Sequence, residues 1–341
     1  MKKFYAVIGN PPYQDESDKN NRKPPIYDKF IDESRKVSCK VELITPARFL
    51  FNAGQTSKTW NEEILNSHHV KVLNYEQDAE KIFPNTEIKG GVAITYYDDN
   101  KEFDPIITFI PFEQLITIHE KVSSKNEPTV SEIVTGAVPY RFTQKAKDEN
   151  ANYVSLMGGS YDLRTNVLDN LKDKLFFENK PSDGGDYVEI FGLEDKKRVS
   201  RWIKFEYLSV PENFDGYKIL VPKAVGNGDY GEAFSSLVLG APRVGHTQSF
   251  VSLGNYVTKD EAMNLVKYIK TRFARSLLGI LKVTQDVNPR VWEKVPLQDF
   301  SNKSDIDWSK TISEIDKQLF EKYHLNSDEI AFIESHVKEM T

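Results

Sequence analysis

The residues best placed to do chemistry lie near the start of the sequence, in Asn10-Pro11-Pro12-Tyr13, directly after the apolar run Phe4-Tyr5-Ala6-Val7-Ile8-Gly9. Two successive prolines fix two backbone dihedrals and remove two amide donors, so no local amide draws the carbonyls of Asn10 and Pro11 into a ladder. A side-chain amide, a free carbonyl and an aromatic ring then follow one another on a rigid ledge. In open α/β sheets the carboxyl end of a strand is where ligands bind. These are the groups needed to grip a planar base through an exocyclic amine. Read alone, the tetrapeptide is equally a stiff turn after a strand, so its context has to decide.

Other combinations carry less. His68 and His69 are adjacent but lack partners at zinc spacing, and read as surface residues. Cys39 is the only cysteine and reads as near-core; a disulfide framework within the chain and a thiolate zinc cluster are excluded. Glu194-Asp195-Lys196 has the crude acidic-x-basic spacing of a metal-dependent nuclease strand, but its middle residue is charged and no acidic partner is placed before it. No metal is expected.

The elements that must position the ledge follow from periodicity. Phe4–Gly9 reads as a buried parallel strand, and residues 15–23 as a polar loop closed by Pro24-Pro25. Ile26, Tyr27, Phe30, Ile31 and Val37 recur at helical spacing, which puts Phe30 on the apolar face. Residues 40–45 form the next strand, closed by Pro46; residues 58–66 a short helix with Trp60, Ile64 and Leu65 inward; residues 70–75 and 91–97 two more strands. That alternation predicts an α/β unit with a parallel sheet over residues 1–110. Residues 111–122 read as a helix with Leu115, Ile116 and Ile118 inward, followed by a linker to Pro128 and then irregular structure to about residue 300. Within it, aromatic and charged residues interleave from Arg198 to Phe205. Residues 260–282 predict one amphipathic helix with Ala262, Leu265, Val266, Ile269, Phe273 and Leu277 inward and Lys267, Lys270 and Arg275 outward. Residues 301–341 predict a helical tail led by Asp307-Trp308, with Ile312, Ile315, Leu319 and Phe320 inward, and Asn326 with Glu329 as a capping box for a second helix.

The 341 residues suffice for two domains, and 39% hydrophobic with 12% aromatic content marks a globular chain. There is no secretory h-region and no run of 18 apolar residues, so a soluble, cytoplasmic protein without a membrane span is expected. The net charge of −6 argues against a generic nucleic-acid coat, but it is uneven. Residues 263–294 hold seven Lys/Arg against two Asp/Glu, whereas residues 301–341 hold five against nine. Such a distribution suits a protein that meets phosphate on one face.

Several motifs stand in a telling order: Asn10-Pro11-Pro12-Tyr13, then Pro25-Ile26-Tyr27-Asp28-Lys29-Phe30-Ile31, then Leu43-Ile44-Thr45-Pro46-Ala47-Arg48-Phe49-Leu50, then Ile82-Phe83-Pro84 followed by Gly90-Gly91-Val92-Ala93-Ile94. Together they resemble the S-adenosylmethionine-dependent DNA adenine methyltransferases of type II restriction–modification systems. Thr247-Gln248-Ser249-Phe250 and Lys282-Val283-Thr284-Gln285 resemble segments of that family's target-recognition region. The resemblance implies a partial doubly wound, Rossmann-like sheet, a mixed α+β target-recognition domain over residues 111–300, and a helical tail. It implies that the Asn10 side-chain oxygen and the Pro11 carbonyl accept the two amine hydrogens of a flipped adenine. Tyr13 and Phe83 would stack on the base, Pro12 and Phe30 touch the cofactor, and Lys267 and Arg275 contact the phosphates of double-stranded DNA. No dedicated general base is required or seen.

In this family the cofactor's ribose and methionine sit on a glycine-rich turn after another strand. Upstream of Asn10 there is no room for one, and Gly226-Asn227-Gly228-Asp229-Tyr230-Gly231 is a poor substitute because no clear helix follows it. The expectation is that a second polypeptide supplies the cofactor half, leaving Phe4–Gly9 as an apolar open edge. Two alternatives stay open: a DNA-recognition module or degenerate fragment without autonomous catalysis, and an RNA or small-molecule methyltransferase with the same ledge.

Overall fold

A computed structural model describes residues 2–15, 23–86, 88–234 and 236–340. Of the polar loop expected at 15–23, residues 16–22 lie outside the described residues. The chain divides into two compact units, Met1–Ile116 with Asn227–Asp229, and Thr117–Gly226 with Tyr230–Thr341. The fold is mixed α/β, with several small sheets.

The first unit runs β1 (Phe4–Gly9), α1 (Tyr27–Val37), β2 (Ser38–Pro46), α2 (Lys58–Leu65), β3 (Val70–Glu76) and β4 (Val92–Asp98), and α3 (Glu113–Ser123) begins in it. Its four-stranded sheet has the order β1-β2-β4-β3. β1 and β2 are parallel, with Ala6 opposite Lys40 and Gly9 opposite Leu43. β4 is antiparallel to both of its neighbours, which corrects the all-parallel expectation. The reason is the connection. Among the described residues of 77–91 there is only a short 3-10 turn at Ala79–Lys81 and no crossover helix, so the chain returns beside β3 in the opposite direction.

The core of this unit lies between β2 and the helices packed on it. Val41 and Leu43 of β2, Tyr27 and Ile31 of α1, and Ile64 and Leu65 of α2 are buried. Asp28 in the first turn of α1 and Arg35 and Lys36 in its last turn complement the helix dipole. The Trp60 indole donates to Asp32 at 3.1 Å and joins α2 to α1. Two expectations fail here. Phe30 is 40% exposed, because the buried stripe of α1 runs through Tyr27 and Ile31. β1 is a strand but is not buried: Tyr5 is 78% and Ile8 76% exposed, and among the described residues β2 is its only neighbour.

The second unit contains β5 (Val134–Thr135), β6 (Arg141–Phe142), α4 (Gln144–Glu149), α5 (Val167–Asn170), β7 (Tyr187–Glu194), β8 (Lys197–Lys204), β9 (Leu208–Ser209), β10 (Tyr217–Pro222), β11 (Val238–Gly240), β12 (Val244–His246), β13 (Phe250–Tyr256), α6 (Lys259–Lys270), α7 (Arg272–Leu278), α8 (Ile312–Lys322) and α9 (Ser327–His336). Its sheets have the orders β11-β10-β13-β5, β12-β7-β8 and β6-β9. Tyr140, Leu168, Phe176, Ile190, Ile203 and Phe214 belong to one hydrophobic cluster. The helix expected over residues 260–282 is two helices. Thr271, with ψ at 149°, ends α6, and its hydroxyl accepts from the Ala274 amide to cap α7. The buried Asp316 carboxylate accepts from the amides of Arg272 and Phe273 at 3.0 and 2.9 Å. The Asn326–Glu329 capping box opens α9 as its spacing predicts, while α8 starts at Ile312 rather than at Trp308. Along α3, Leu115 and Ile118 are buried, but Ile116 is 39% exposed.

Candidate active site

The ledge is assembled by short-range clasps. After Gly9 leaves the sheet, Asn10–Tyr13 runs over the carboxyl ends of β1 and β2. The Ile26 amide donates to the Tyr13 carbonyl at 3.1 Å, and the Asp15 amide to the Pro24 carbonyl at 3.0 Å. Gln14 and Pro25 form an antiparallel bridge. The start of α1 therefore holds Tyr13 in place, and the second proline pair supplies the extended backbone that makes this pairing possible.

A cavity of about 530 Å³ opens at this point, within the roughly 300–1,000 Å³ of small-molecule sites. Asn10, Pro11, Pro12 and Tyr13 form one side; Pro46, the last residue of β2, and Arg48 just past it form another; Thr86 and Ile88 come from the β3–β4 connection. Its described lining includes Lys23 and Arg48 but no Asp or Glu. The Phe83 ring meets the Tyr13 ring edge-on, with centroids 6.5 Å apart and planes at 73°. That connection is fixed by Gly91, whose φ is +73° and whose absent Cβ would sit 2.3 Å from the Glu76 carbonyl oxygen. The Gly91 carbonyl accepts from Ala47 N at 3.0 Å, which ties the Phe83 segment to the end of β2. No larger residue fits there.

The Tyr13 hydroxyl is buried and has no hydrogen-bond partner among the described residues. Burial raises its pKa, so it stays neutral and presents a ring rather than a charge. Tyr27, under the cavity, is pushed up to about 12 by burial. The described lining contains no carboxylate and no imidazole.

The remaining candidates divide sharply. Pro12 lines the cavity; Phe30 and Phe83 are not in its described lining, and the edge-on Phe83 ring does not face Tyr13 as the two sides of a base sandwich would. The two phosphate-contact candidates are corrected. Arg275 is 2% exposed, and its guanidinium donates to the carbonyls of Gly231, Glu232 and Lys270 at 3.2–3.3 Å and to that of Lys338. Lys267 donates to the Trp308 carbonyl at 2.5 Å and to the Lys310 carbonyl at 3.3 Å. Both hold the chain's own backbone. Glu194-Asp195-Lys196 is a hairpin turn between β7 and β8 with positive φ at Asp195 and Lys196. Glu194 is paired with Arg201 and Lys172, which hold its pKa down to about 2, so the nuclease spacing has no structural basis. The described residues contain no group that could hold a metal ion, and no helix among them is long and apolar enough to cross a membrane. Residues 226–231 form turns without a following helix, unlike a dinucleotide-binding turn.

Arg48 is the site residue that sequence reasoning passed over. Its signal was its place two residues beyond Pro46, at the carboxyl end of a strand parallel to β1.

The Eco57I restriction-modification methylase family model matches residues 1–83. An uncharacterized adenine-specific methylase of Mycoplasma pneumoniae is 29% identical over 110 residues, which is 31% of this chain and 26% of that protein. Among solved structures, the type IIG restriction endonuclease BpuSI is 10% identical with a TM-score of 0.35, over 92% of this chain and 48% of its own. The type IIL restriction-modification enzyme MmeI, solved in complex with DNA, is 10% identical with a TM-score of 0.37, over 97% and 56%. The match thus spans about a quarter of the curated relative and about half of each structure. Residues 1–83, the segment that builds the ledge, are thus similar to the Eco57I restriction-modification methylases, and the chain is similar over part of its length to an adenine-specific methylase.

Proposed function

We propose that this chain carries the catalytic ledge and the target-recognition part of a DNA adenine methyltransferase that uses S-adenosylmethionine. The observation that carries the reading is the cavity in which Asn10, Pro11 and Tyr13 meet at the carboxyl end of β1, with no acid among its described lining. The exocyclic amine of adenine is a weak nucleophile because its lone pair is delocalised into the ring. Two fixed acceptors, the Asn10 side-chain oxygen and the Pro11 carbonyl, take its two hydrogens and draw the nitrogen toward tetrahedral geometry. Acceptors fixed in advance are worth most in a dry pocket. Tyr13 stacks on the flipped base with Phe83 behind it; such stacking contributes about 1–3 kcal/mol and offsets the few kcal/mol needed to unstack the base. When bound, S-adenosylmethionine supplies an electrophilic methyl group. Pro12 lines the accepting side of the cavity, and the exposed Phe30 is offered as a cofactor contact. The rest of the donor's pocket is assigned to a second polypeptide, or another segment of a longer one, that pairs with β1.

The test is transfer of tritiated methyl from S-adenosylmethionine to duplex DNA, with and without neighbouring gene products. Asn10→Ala is expected to lower transfer by about 10²–10³-fold, the usual loss when one preorganised electrostatic partner is removed. Label appearing outside adenine, or surviving Asn10→Ala, would reject the assignment. DNA binding without methylation under any complementation would favour the recognition module, and labelling of RNA alone the third reading.

A further inference from the structure

We propose that Arg48 is the anchor for the phosphodiester group beside the flipped adenine. The inference rests on the reading of the cavity as an adenine site and adds to it the part of the nucleotide that the ledge does not touch.

Arg48 stands in the 3-10 turn Ala47–Phe51 that follows β2. Its Nε donates to the Lys89 carbonyl at 2.5 Å, so one edge of the guanidinium is used to fix its direction. Gly54, whose φ is +92°, passes close to its stem, so that a Cβ there would come within 3.3 Å of the Arg48 Cβ. The side chain is therefore positioned before any ligand arrives, which lowers the ordering cost of binding. Among the described residues no carboxylate pairs with it and no acid lines the cavity. An unpaired cation held at a cavity wall calls for a counter-ion from the ligand.

The base cannot be that counter-ion. Adenine and its methylated product are both neutral, and the amine hydrogens are already assigned to Asn10 and Pro11. The anionic part of a nucleotide within a strand is its phosphodiester. A guanidinium with one edge anchored presents its remaining N–H groups as a fork that matches two phosphate oxygens, which an ammonium on a flexible stem does not. Lys23, exposed at the same rim, adds a point charge. Because the contact is to phosphate, it works without knowledge of the recognition sequence.

The test uses the full chain and a duplex with one adenine opposite an abasic site, so that the base leaves the stack at low cost. A fully paired duplex of the same sequence is the control. Binding is followed by fluorescence anisotropy across salt. The wild type is expected to prefer the unpaired adenine. Arg48→Ala should lose about tenfold of that affinity and reduce the salt slope by about one, with Arg48→Lys between the two. Replacing the phosphates flanking the adenine, one at a time, by uncharged methylphosphonate should cost the wild type a similar factor at one position and cost Arg48→Ala nothing further there. Arg48→Ala with an unchanged slope, or still sensitive at that position, overturns the anchor while the adenine site stands. A wild type without preference for the unpaired adenine overturns the adenine reading, and the anchor with it. Thermal unfolding and circular dichroism of each variant separate a lost contact from a lost fold.

Discussion

Arg275 shows how much a charge in a sequence leaves undecided. Its sign was legible, but its direction depended on a helix phase that the break at Thr271 resets, so the wheel drawn over residues 260–282 puts it outside while α7 puts it inside. There it satisfies backbone carbonyls from residues 231, 232, 270 and 338, at the expense of a buried charge whose pKa falls to about 10. Arg275→Ala should therefore lower the unfolding free energy by about 1.5–3 kcal/mol or more, since orphaned buried acceptors bear their full desolvation cost. Denaturant unfolding measures this. In the folded fraction, the salt dependence of DNA binding should not change; a flatter slope at unaltered stability would return Arg275 to the interface. The ledge was legible for the opposite reason. Consecutive prolines dictate their own backbone locally, so the places of Asn10 and Tyr13 on the cavity wall depend little on the distant chain.

At the scale of elements, local signals succeeded where they were self-contained. The Asn326–Glu329 box is a four-residue device and is where it was expected. The strand β4 was found, but its direction depends on the loop before it and on which strand edge is vacant, and neither is written in its alternation. The α6–α7 break depends on Asp316, 45 residues after Thr271, and no window along the sequence brings the two together. That junction makes a pH prediction. Burial raises the Asp316 carboxyl to about 6, more than the two accepted amides and the nearby Arg272 and Arg275 lower it. A folded-state pKa above the unfolded value means that the folded form holds the proton longer. The contribution is fully present below the ordinary carboxylate range and is lost as pH rises through about 6. The unfolding free energy should thus lose on the order of 2 kcal/mol between about pH 4 and pH 6.5 from this group. Asp316→Asn, measured over the same range, should lack that slope although it is less stable throughout for want of one acceptor. Parallel curves for the two proteins would contradict the assignment.

At the scale of the whole molecule, the exposed β1 bears on the proposed complement. Its alternate residues Phe4 and Ile8 are exposed on one face, and Tyr5 is exposed on the other. Strands in parallel sheets are normally covered on both faces by helices. A bare strand partner would satisfy the free backbone edge but leave both faces wet, so the expected complement is a strand together with the layers that flank it. The strands of the first unit were legible from their periodicity; the second unit was not, because two- and three-residue strands such as β5, β9 and β11 leave no periodicity to read. If the complement carries the cofactor pocket, the chain alone should bind S-adenosylmethionine more weakly than micromolar and self-associate as concentration rises. Adding the complementing polypeptide should restore tight binding. Tyr5→Lys with Ile8→Lys should block that restoration, because two lysines would have to be buried without partners. Neither residue lines the cavity. Calorimetry and sedimentation velocity on the isolated chain, the mixture and the double variant give the readout. A monomeric isolated chain that binds S-adenosylmethionine with micromolar affinity would show that the donor's pocket is already complete within these residues, and the open strand would then need a different explanation.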